Sequence, residues 1–174
     1  IRPEASAVIN SLKRAGISKV VMMTGDSERT ARAVAAQIGV DEYYSEVLPE
    51  DKAGFVEREK AAGRKVIMIG DGINDSPALS AADVGIAISD GAEIAREIAD
   101  VTIGADNLYE IVTLKAISNG LMKRIHKNYR SIILINAGLI ALGVTGMIQP
   151  TTSALLHNTS TLVIGLKSMQ NLID

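Results

Sequence analysis

Apolar residues occur in short runs along the first hundred residues, and longer amphipathic segments separate these runs. Short apolar runs are typical of buried strands, whereas apolar positions three and four residues apart indicate helices. The predicted strands cover residues 19–23, 65–69, 84–88 and 101–103, with a weak strand or loop at 40–47. The predicted helices lie between Pro3 and Gly16 and over residues 27–38, 49–62 and 92–98, and a brief one begins at 75–77.

Strands that alternate with helices predict a parallel sheet joined by right-handed crossovers. The predicted fold class is therefore α/β, a doubly wound parallel sheet with helices on both faces. We expect this domain to cover residues 1–107.

The pattern changes beyond residue 107. Residues 108–130 predict an amphipathic helix with a basic end, and residues 131–149 carry no charge. At ~1.5 Å per residue, a helix over 131–149 reaches roughly 28 Å, close to the ~30 Å core of a bilayer. A second, more polar candidate follows Pro150. We therefore predict a transmembrane helical hairpin over 131–174, with a buried hairpin of a soluble protein as the alternative.

Charge and composition narrow the possible partners. The net charge of −2 and the single phenylalanine argue against nucleic acid, and the lack of cysteine excludes thiol chemistry and disulfides. Basic residues 123–130 precede the first predicted span, and Lys167 lies near the end of the second. By the positive-inside rule both ends of the hairpin are cytoplasmic, so we expect a lipid bilayer as partner and residues 1–130 in the cytoplasm.

Two polar clusters follow predicted strands, "TGD" at 24–26 and "GDGIND" at 70–75. Ligands of parallel sheets bind at the carboxyl ends of strands, so we expect both clusters to share one crevice. Thr24, the Gly25 amide and Lys52, which lies in the first turn of a helix, could hold a phosphate. Asp71 would then coordinate Mg²⁺, which prefers one or two carboxylates together with phosphate oxygens and water.

Each of these residues also has a simpler interpretation. Asp26 and Asp75 could cap the helices that follow them, and Lys52 could pair with Glu50 or Asp51 at the surface. Neither capping nor surface pairing explains why both polar clusters follow strands. We therefore favour a site for phosphate and magnesium.

Four stretches, "VVMMTGD", "LPEDK", "MIGDGINDSPALSAADVGIAI" and "GAEIAREIADVTI", resemble the phosphorylation domain of P-type ATPases, members of the haloacid dehalogenase superfamily. The "DSPAL" at 75–79 and the two apolar segments resemble the heavy-metal-transporting branch. The opening "RPEAS" resembles the point where the chain re-enters this domain from the nucleotide-binding domain.

This resemblance implies a role for each matching residue. Thr24 and Lys52 would contact the transferred phosphoryl group, and Asn74 would bond its oxygens. Asp71 would hold Mg²⁺, while Asp75 would support the site and is a weaker candidate for the metal. The remaining residues of the phosphate-side loop would be Gly25 and Asp26.

The chain departs from the family pattern in one respect that matters for activity. The nucleophile of the family lies in an Asp-Lys-Thr-Gly-Thr motif, which is absent from these 174 residues. We therefore interpret the chain as the C-terminal portion of an ATP-driven heavy-metal pump of the plasma membrane, inactive alone. The resemblance implies Mg²⁺, ATP and a transported transition-metal ion, with nucleotide-binding, actuator and further transmembrane parts as partners. A soluble phosphatase of the same superfamily and a non-catalytic phosphate-binding fragment are the alternatives.

The second apolar segment contains the polar stretch "HNTST" at 157–161. Ionisable groups within a membrane segment indicate function, and neutral histidine binds transition metals, so His157 is a candidate ligand of the transported ion. Asn136 could contribute to the same pathway. The alternative is that these polar groups only join helices. Some metal pumps carry a His-Glu-Gly motif here, but Asn158 and Thr159 replace its last two residues, so their metal preference does not transfer.

Overall fold

The computed structural model describes residues 1–70, 73–88, 97–104 and 107–172. The chain divides into two compact units, Ile1–Thr113 and Leu114–Asp174, and each is described by itself.

The first unit alternates short strands with helices, and this confirms the predicted α/β class. Its strands are β1 (Val21–Met23), β2 (Glu42–Tyr44), β3 (Ile67–Gly70), β4 (Val84–Ile88) and β5 (Val101–Ile103). Its helices are α1 (Ala5–Arg14), α2 (Glu28–Ile38), α3 (Pro49–Ala61) and α4 (Ser76–Ala81), and a 3₁₀ turn (Ile73–Asp75) precedes α4. Most of the helix predicted at 92–98 lies outside the described residues.

All described strand pairs are parallel, but they form two sheets rather than the single predicted one. One sheet pairs β1 with β2, and the other has the order β3-β4-β5. No described strand hydrogen-bonds to both β1 and β3, which is why the sheets are separate. Met23 of β1 nevertheless packs against the buried cluster that contains Met68 of β3. The ends of β1 and β3 therefore lie over one core.

That core fixes the position of α4 on its sheet. Val56 of α3, Met68 of β3 and Leu79 of α4 form its centre. Gly85 of β4 is needed beside it, because a Cβ at this position would lie 2.7 Å from the Leu79 carbonyl oxygen. In chain order, β3 is followed by the 3₁₀ turn and then by α4.

Aspartates bind the backbone at the opposite, N-terminal ends of the strands. The Val20 N–H donates to the Asp41 carboxylate at 2.7 Å, and the Val66 N–H donates to the Asp83 carboxylate at 2.9 Å. The Gly85 N–H donates to the Asp100 carboxylate at 2.8 Å. The hydrogen bond from Lys13, with that from Val20, lowers the pKa of Asp41. The Val66 N–H and then Lys65 lower the pKa of Asp83. The three carboxylates thus supply hydrogen-bond acceptors for backbone N–H groups near the starts of the strands.

The second unit contains α5 (Tyr109–Val144), apart from its first turn, and α6 (Pro150–Ser168). α5 is one continuous helix across the segments predicted separately at 108–130 and 131–149. It ends at Val144, where Gly146 adopts a positive φ of 73°. A left-handed glycine is the usual stop of a helix.

Two side chains of α5 hold the end of α6. The Arg124 guanidinium donates to the carbonyl oxygens of Ser168 at 2.8 Å and Asn171 at 2.7 Å, and also to that of Gln170. The Asn128 amide donates to the Ser168 hydroxyl at 2.6 Å. A guanidinium suits this place because the last carbonyls of a helix lack partners and carry partial negative charge.

The predicted transmembrane hairpin is not confirmed. Within the described ranges, no helix is both long enough and apolar enough to cross a membrane. The charge-free run extends to residue 149, but α5 ends at Val144. Its helical part, residues 131–144, extends only about 21 Å at ~1.5 Å per residue.

Candidate functional site

The loop after β1 is held closed by Thr24. Its hydroxyl donates to the Asp26 carboxylate at 2.8 Å and accepts from the Asp26 N–H at 3.1 Å. The Thr24 N–H donates to Tyr44 of β2, and the Thr24 carbonyl accepts from the Val47 N–H, both at 3.0 Å. The loop is thereby fixed against the segment that leads into α3.

Lys52 and Asp75 form a largely buried ion pair at the end of β3. The Lys52 Nζ donates to the Asp75 Oδ1 at 2.7 Å, and the two side chains are only 15% and 12% exposed. Pro49 starts α3 at its first position, which suits its fixed φ, and the first turn carries Lys52 towards the 3₁₀ turn. A charge-assisted bond of this length orients both groups.

Gly70 allows the Asp75 carboxylate to lie against the end of β3. A Cβ at Gly70 would meet the Asp75 Cβ at 2.6 Å and its Oδ2 at 2.8 Å, so only glycine fits without movement. Beside it the Ser76 hydroxyl oxygen is buried and has no hydrogen-bond partner among the described residues. The predicted residue Asn74 precedes Asp75 in the chain and is exposed.

The structure thus brings together Lys52 and Asp75, and it fixes the Thr24 to Asp26 loop beside the segment that precedes α3. Asp71, the predicted magnesium ligand, lies with Gly72 outside the described residues. The roles of the site residues therefore stay predictions.

The hydrogen bonds do not support the simpler interpretations of three site residues. Ser27 rather than Asp26 is the N-cap residue of α2, and Asp75 occupies the N-cap position of α4 but makes no capping side-chain hydrogen bond. Asp26 binds Thr24 instead, and Asp75 binds Lys52. Lys52 pairs across the fold with Asp75 and not with its neighbours in α3.

The donor atoms at the end of β3 suit magnesium better than a soft metal. They are the Asp75 carboxylate and the unpartnered Ser76 hydroxyl, both hard oxygen donors. One carboxylate oxygen of Asp75 is already engaged by Lys52, so this residue alone makes an incomplete set. Over the described part of the chain, no group of three or more His, Cys, Asp or Glu could hold a metal ion. The arrangement fits an ion that takes its other ligands from phosphate and water.

A separate polar pair lies in the second unit. The His157 Nδ1 of α6 lies 2.7 Å from the Asn136 Oδ1 of α5. If the amide oxygen accepts, Nδ1 carries the proton and Nε2 keeps a free lone pair. Such orientation by a neighbour is typical of metal-binding histidines, and it is equally compatible with a link between helices.

Sequence reasoning missed Ser76 and the contact of Gly70 with Asp75. Ser76 follows the second polar cluster and looks like an ordinary residue of a helix start. Gly70 is part of that cluster, but its packing requirement depends on where the 3₁₀ turn returns. Only the three-dimensional path of residues 73–76 reveals either feature.

The sequence is similar to those of known proteins. The family model of haloacid dehalogenase-like hydrolases matches residues 1–83. The manganese-exporting P-type ATPase of Mycobacterium leprae is 39% identical over 165 residues, which are 94% of this chain and 23% of that protein. A probable copper-importing P-type ATPase A of Enterococcus hirae is 41% identical over 152 residues, or 86% of this chain and 21% of that protein.

Solved structures show the same relationship. The crystal structure of a zinc-transporting PIB-type ATPase matches with a TM-score of 0.80 and 31% identity, over 100% of this chain and 28% of that one. The parallel α/β fold of the first unit is that of a haloacid dehalogenase-like domain. More particularly, the chain is similar over most of its length to heavy-metal P-type ATPases. It spans about a quarter of the length of the relatives it matches, 23% in the first case.

Proposed function

We propose that this chain is part of an ATP-driven pump for a transition-metal cation that works through an aspartyl-phosphate intermediate. The nucleophilic aspartate would come from a part of the protein outside these 174 residues. The observation that carries the proposal is the buried Lys52–Asp75 pair at the end of β3. A buried ion pair with strict geometry is a poor source of stability and a frequent component of functional sites.

In this proposal the residues of the first unit bind and orient the phosphoryl group. Thr24 and the Gly25 amide would donate to its oxygens from the loop that Asp26 holds. Lys52 would neutralise the charge on the same oxygens while the phosphoryl group is transferred, as electrostatic catalysis requires, and Asn74 would bond the phosphoryl oxygens.

Asp75 keeps the Lys52 ammonium directed at the site, because its carboxylate is fixed by Gly70 and by burial. Asp71 would hold magnesium, and Asp75 and Ser76 are further candidate oxygen donors at the end of β3. When bound, Mg²⁺ would neutralise charge on the phosphoryl oxygens.

The transported metal is proposed only as a class. The relatives are named for manganese, zinc and copper, so the names do not agree on one ion. His157 and Asn136 are the candidate contacts on the transport path. The exposed apolar side chains of α5 and α6, such as Leu134 and Leu162, support a place for the second unit in the membrane part of the pump. Residues 1–130 would lie on the cytoplasmic side, because the positive-inside rule places the basic residues at 123–130 there.

The test is phosphoenzyme formation by the complete protein. The full-length pump, with Mn²⁺, Zn²⁺ or Cu⁺ added separately, should form an acid-stable phosphoenzyme from radiolabelled ATP. Lys52→Met and Asp71→Ala should each reduce its formation by at least about 100-fold, the usual scale for a preorganised charge at a reacting phosphoryl group. Magnesium titration would distinguish the two variants, since only Asp71→Ala should demand much more magnesium.

Lys65→Met is the matched control. Lys65 also pairs with an aspartate, Asp83, but at the other end of β3 and at 86% exposure. This control should retain the phosphoenzyme level of the unmodified pump. Undiminished phosphoenzyme in Lys52→Met would refute the proposed role of the buried pair.

A further inference from the structure

One face of α5 carries three exposed basic residues, Lys123, Lys127 and Arg130. Their spacing of four and three residues places them on the same side of the helix. None of them pairs with an acidic residue in the described structure, and these three residues are called the basic face below. Over roughly 10 Å of helix length they present an uninterrupted cationic surface.

The neighbouring basic residue Arg124 points elsewhere. Its guanidinium is occupied by carbonyl oxygens at the end of α6, and Asn128, one turn later, binds Ser168. The side of α5 that carries Arg124 and Asn128 therefore contacts the end of α6. The basic face lies on a different side, where α6 leaves it uncovered.

The same side of α5 becomes apolar immediately after Arg130. The positions that continue it at helical spacing are 134, 137, 141 and 144, which are called the apolar strip below. Leu134 is 70% exposed and Val144 is 83% exposed. A helix surface that is first cationic and then apolar over several turns matches the order of headgroups and acyl chains in a membrane leaflet.

We infer that the basic face binds the headgroups of anionic phospholipids while the apolar strip contacts the acyl chains beside them. Charge complementarity supports this occupant: between residues 111 and 173 the sequence has no acidic residue, whereas it has six lysines and arginines. A second copy of this helix would bring like charges together. The inference rests on the proposed membrane place of the second unit and not on phosphoryl transfer.

The experiment measures binding of the whole chain to vesicles by flotation, after dilution from detergent. One set of vesicles is phosphatidylcholine, and the other contains ~30% phosphatidylglycerol. Each Lys or Arg near an anionic surface adds roughly five-fold to binding, so the chain should prefer the anionic vesicles by on the order of 100-fold. Salt near 1 M, where the Debye length is about 3 Å, should abolish most of this preference.

The test variant combines Lys123→Gln, Lys127→Gln and Arg130→Gln, which leaves the helix propensity nearly unchanged. It should lose most of the preference for anionic vesicles and keep its binding to neutral ones. The control variant removes the same charge from exposed residues of the first unit, through Arg14→Gln, Arg29→Gln and Lys65→Gln. It should behave like the unmodified chain.

Four outcomes would overturn the inference. An unchanged preference in the test variant, or an equal loss in the control, would show that the basic face does not select the lipid. Binding of the unmodified chain to neither kind of vesicle would reject the membrane place of the second unit as well. Charge-dependent self-association in sedimentation, without charge-dependent flotation, would assign the face to a second copy instead.

Discussion

Replacing Lys52 with methionine tests the buried ion pair at the end of β3. The substitution keeps the length of the aliphatic stem but removes the ammonium that donates to Asp75 at 2.7 Å. The Asp75 carboxylate would remain buried, since the residue is only 8% exposed, and it would lose its cation. Removing one partner of a buried pair costs about 3–5 kcal/mol, mostly because the other charge stays unpaired.

The low end of this range is expected, because the pair keeps 15% and 12% side-chain exposure and water can approach. About 3 kcal/mol corresponds to on the order of 100-fold in an equilibrium constant. Hydrogen exchange of the whole chain, read by mass spectrometry on peptides that cover β3 and α4, should report this loss as faster exchange. These elements frame the pair and contain the buried residues Met68 and Leu79.

A double variant distinguishes two causes of the lower stability, the unpaired buried carboxylate and the simple loss of a contact. If the unpaired carboxylate causes the destabilisation, Lys52→Met combined with Asp75→Asn should be more stable than the sum of the single changes predicts. The control Lys65→Met should change protection by less than about five-fold, because an exposed pair contributes little. Equal effects of Lys52→Met and Lys65→Met, or strict additivity in the double variant, would refute the reasoning.

Two further predictions concern Gly70 and the aspartates at the strand starts. Gly70→Ala should destabilise by about 2 kcal/mol in urea unfolding, because its Cβ would overlap the Asp75 side chain; unchanged stability would contradict the tight packing. Asp41 and Asp83 have lowered pKa values in the fold, so the unfolded chain binds more protons as the pH falls. Their contribution should be complete above the unfolded pKa of about 3.9 and should be lost as the pH falls through the folded values. Asp83→Asn should therefore weaken the acid sensitivity of the urea midpoint, and an unaltered pH profile would count against this assignment.

The strands of the first unit could be predicted because their signal is local. Residues 84–88 and 101–103 form β4 and β5 with the predicted bounds, since short apolar runs between polar segments have few other solutions. The division into two sheets could not be predicted in this way. Whether β1 lies beside β3 depends on pairing between distant segments, and periodicity within a segment contains no information on that.

The sequence predicts where in the fold the candidate site lies, but not which side chains bind each other there. The rule that ligands bind at strand ends pointed to Lys52 and residues 70–75, but it could not give the partner of each side chain. Asp75 was open to a capping interpretation because an aspartate before a helix usually caps it. The fold decides otherwise, since α3 brings an ammonium within 2.7 Å of the carboxylate and a charged donor outcompetes a backbone amide.

Two aspartate–lysine pairs lie near β3 in the described part of the first unit. The exposed fractions of their side chains differ, and this difference indicates different roles. Asp83 and Lys65 lie before the strands, where the carboxylate also accepts the Val66 N–H, so it satisfies the backbone while the lysine stays in water. Asp75 and Lys52 lie after β3 and are withdrawn from water without any backbone bond to the carboxylate among the described hydrogen bonds. Two apolar side chains of similar size would stabilise that position at least as well. The charges at the carboxyl end of β3 are therefore better explained by what they can bind than by what they hold together.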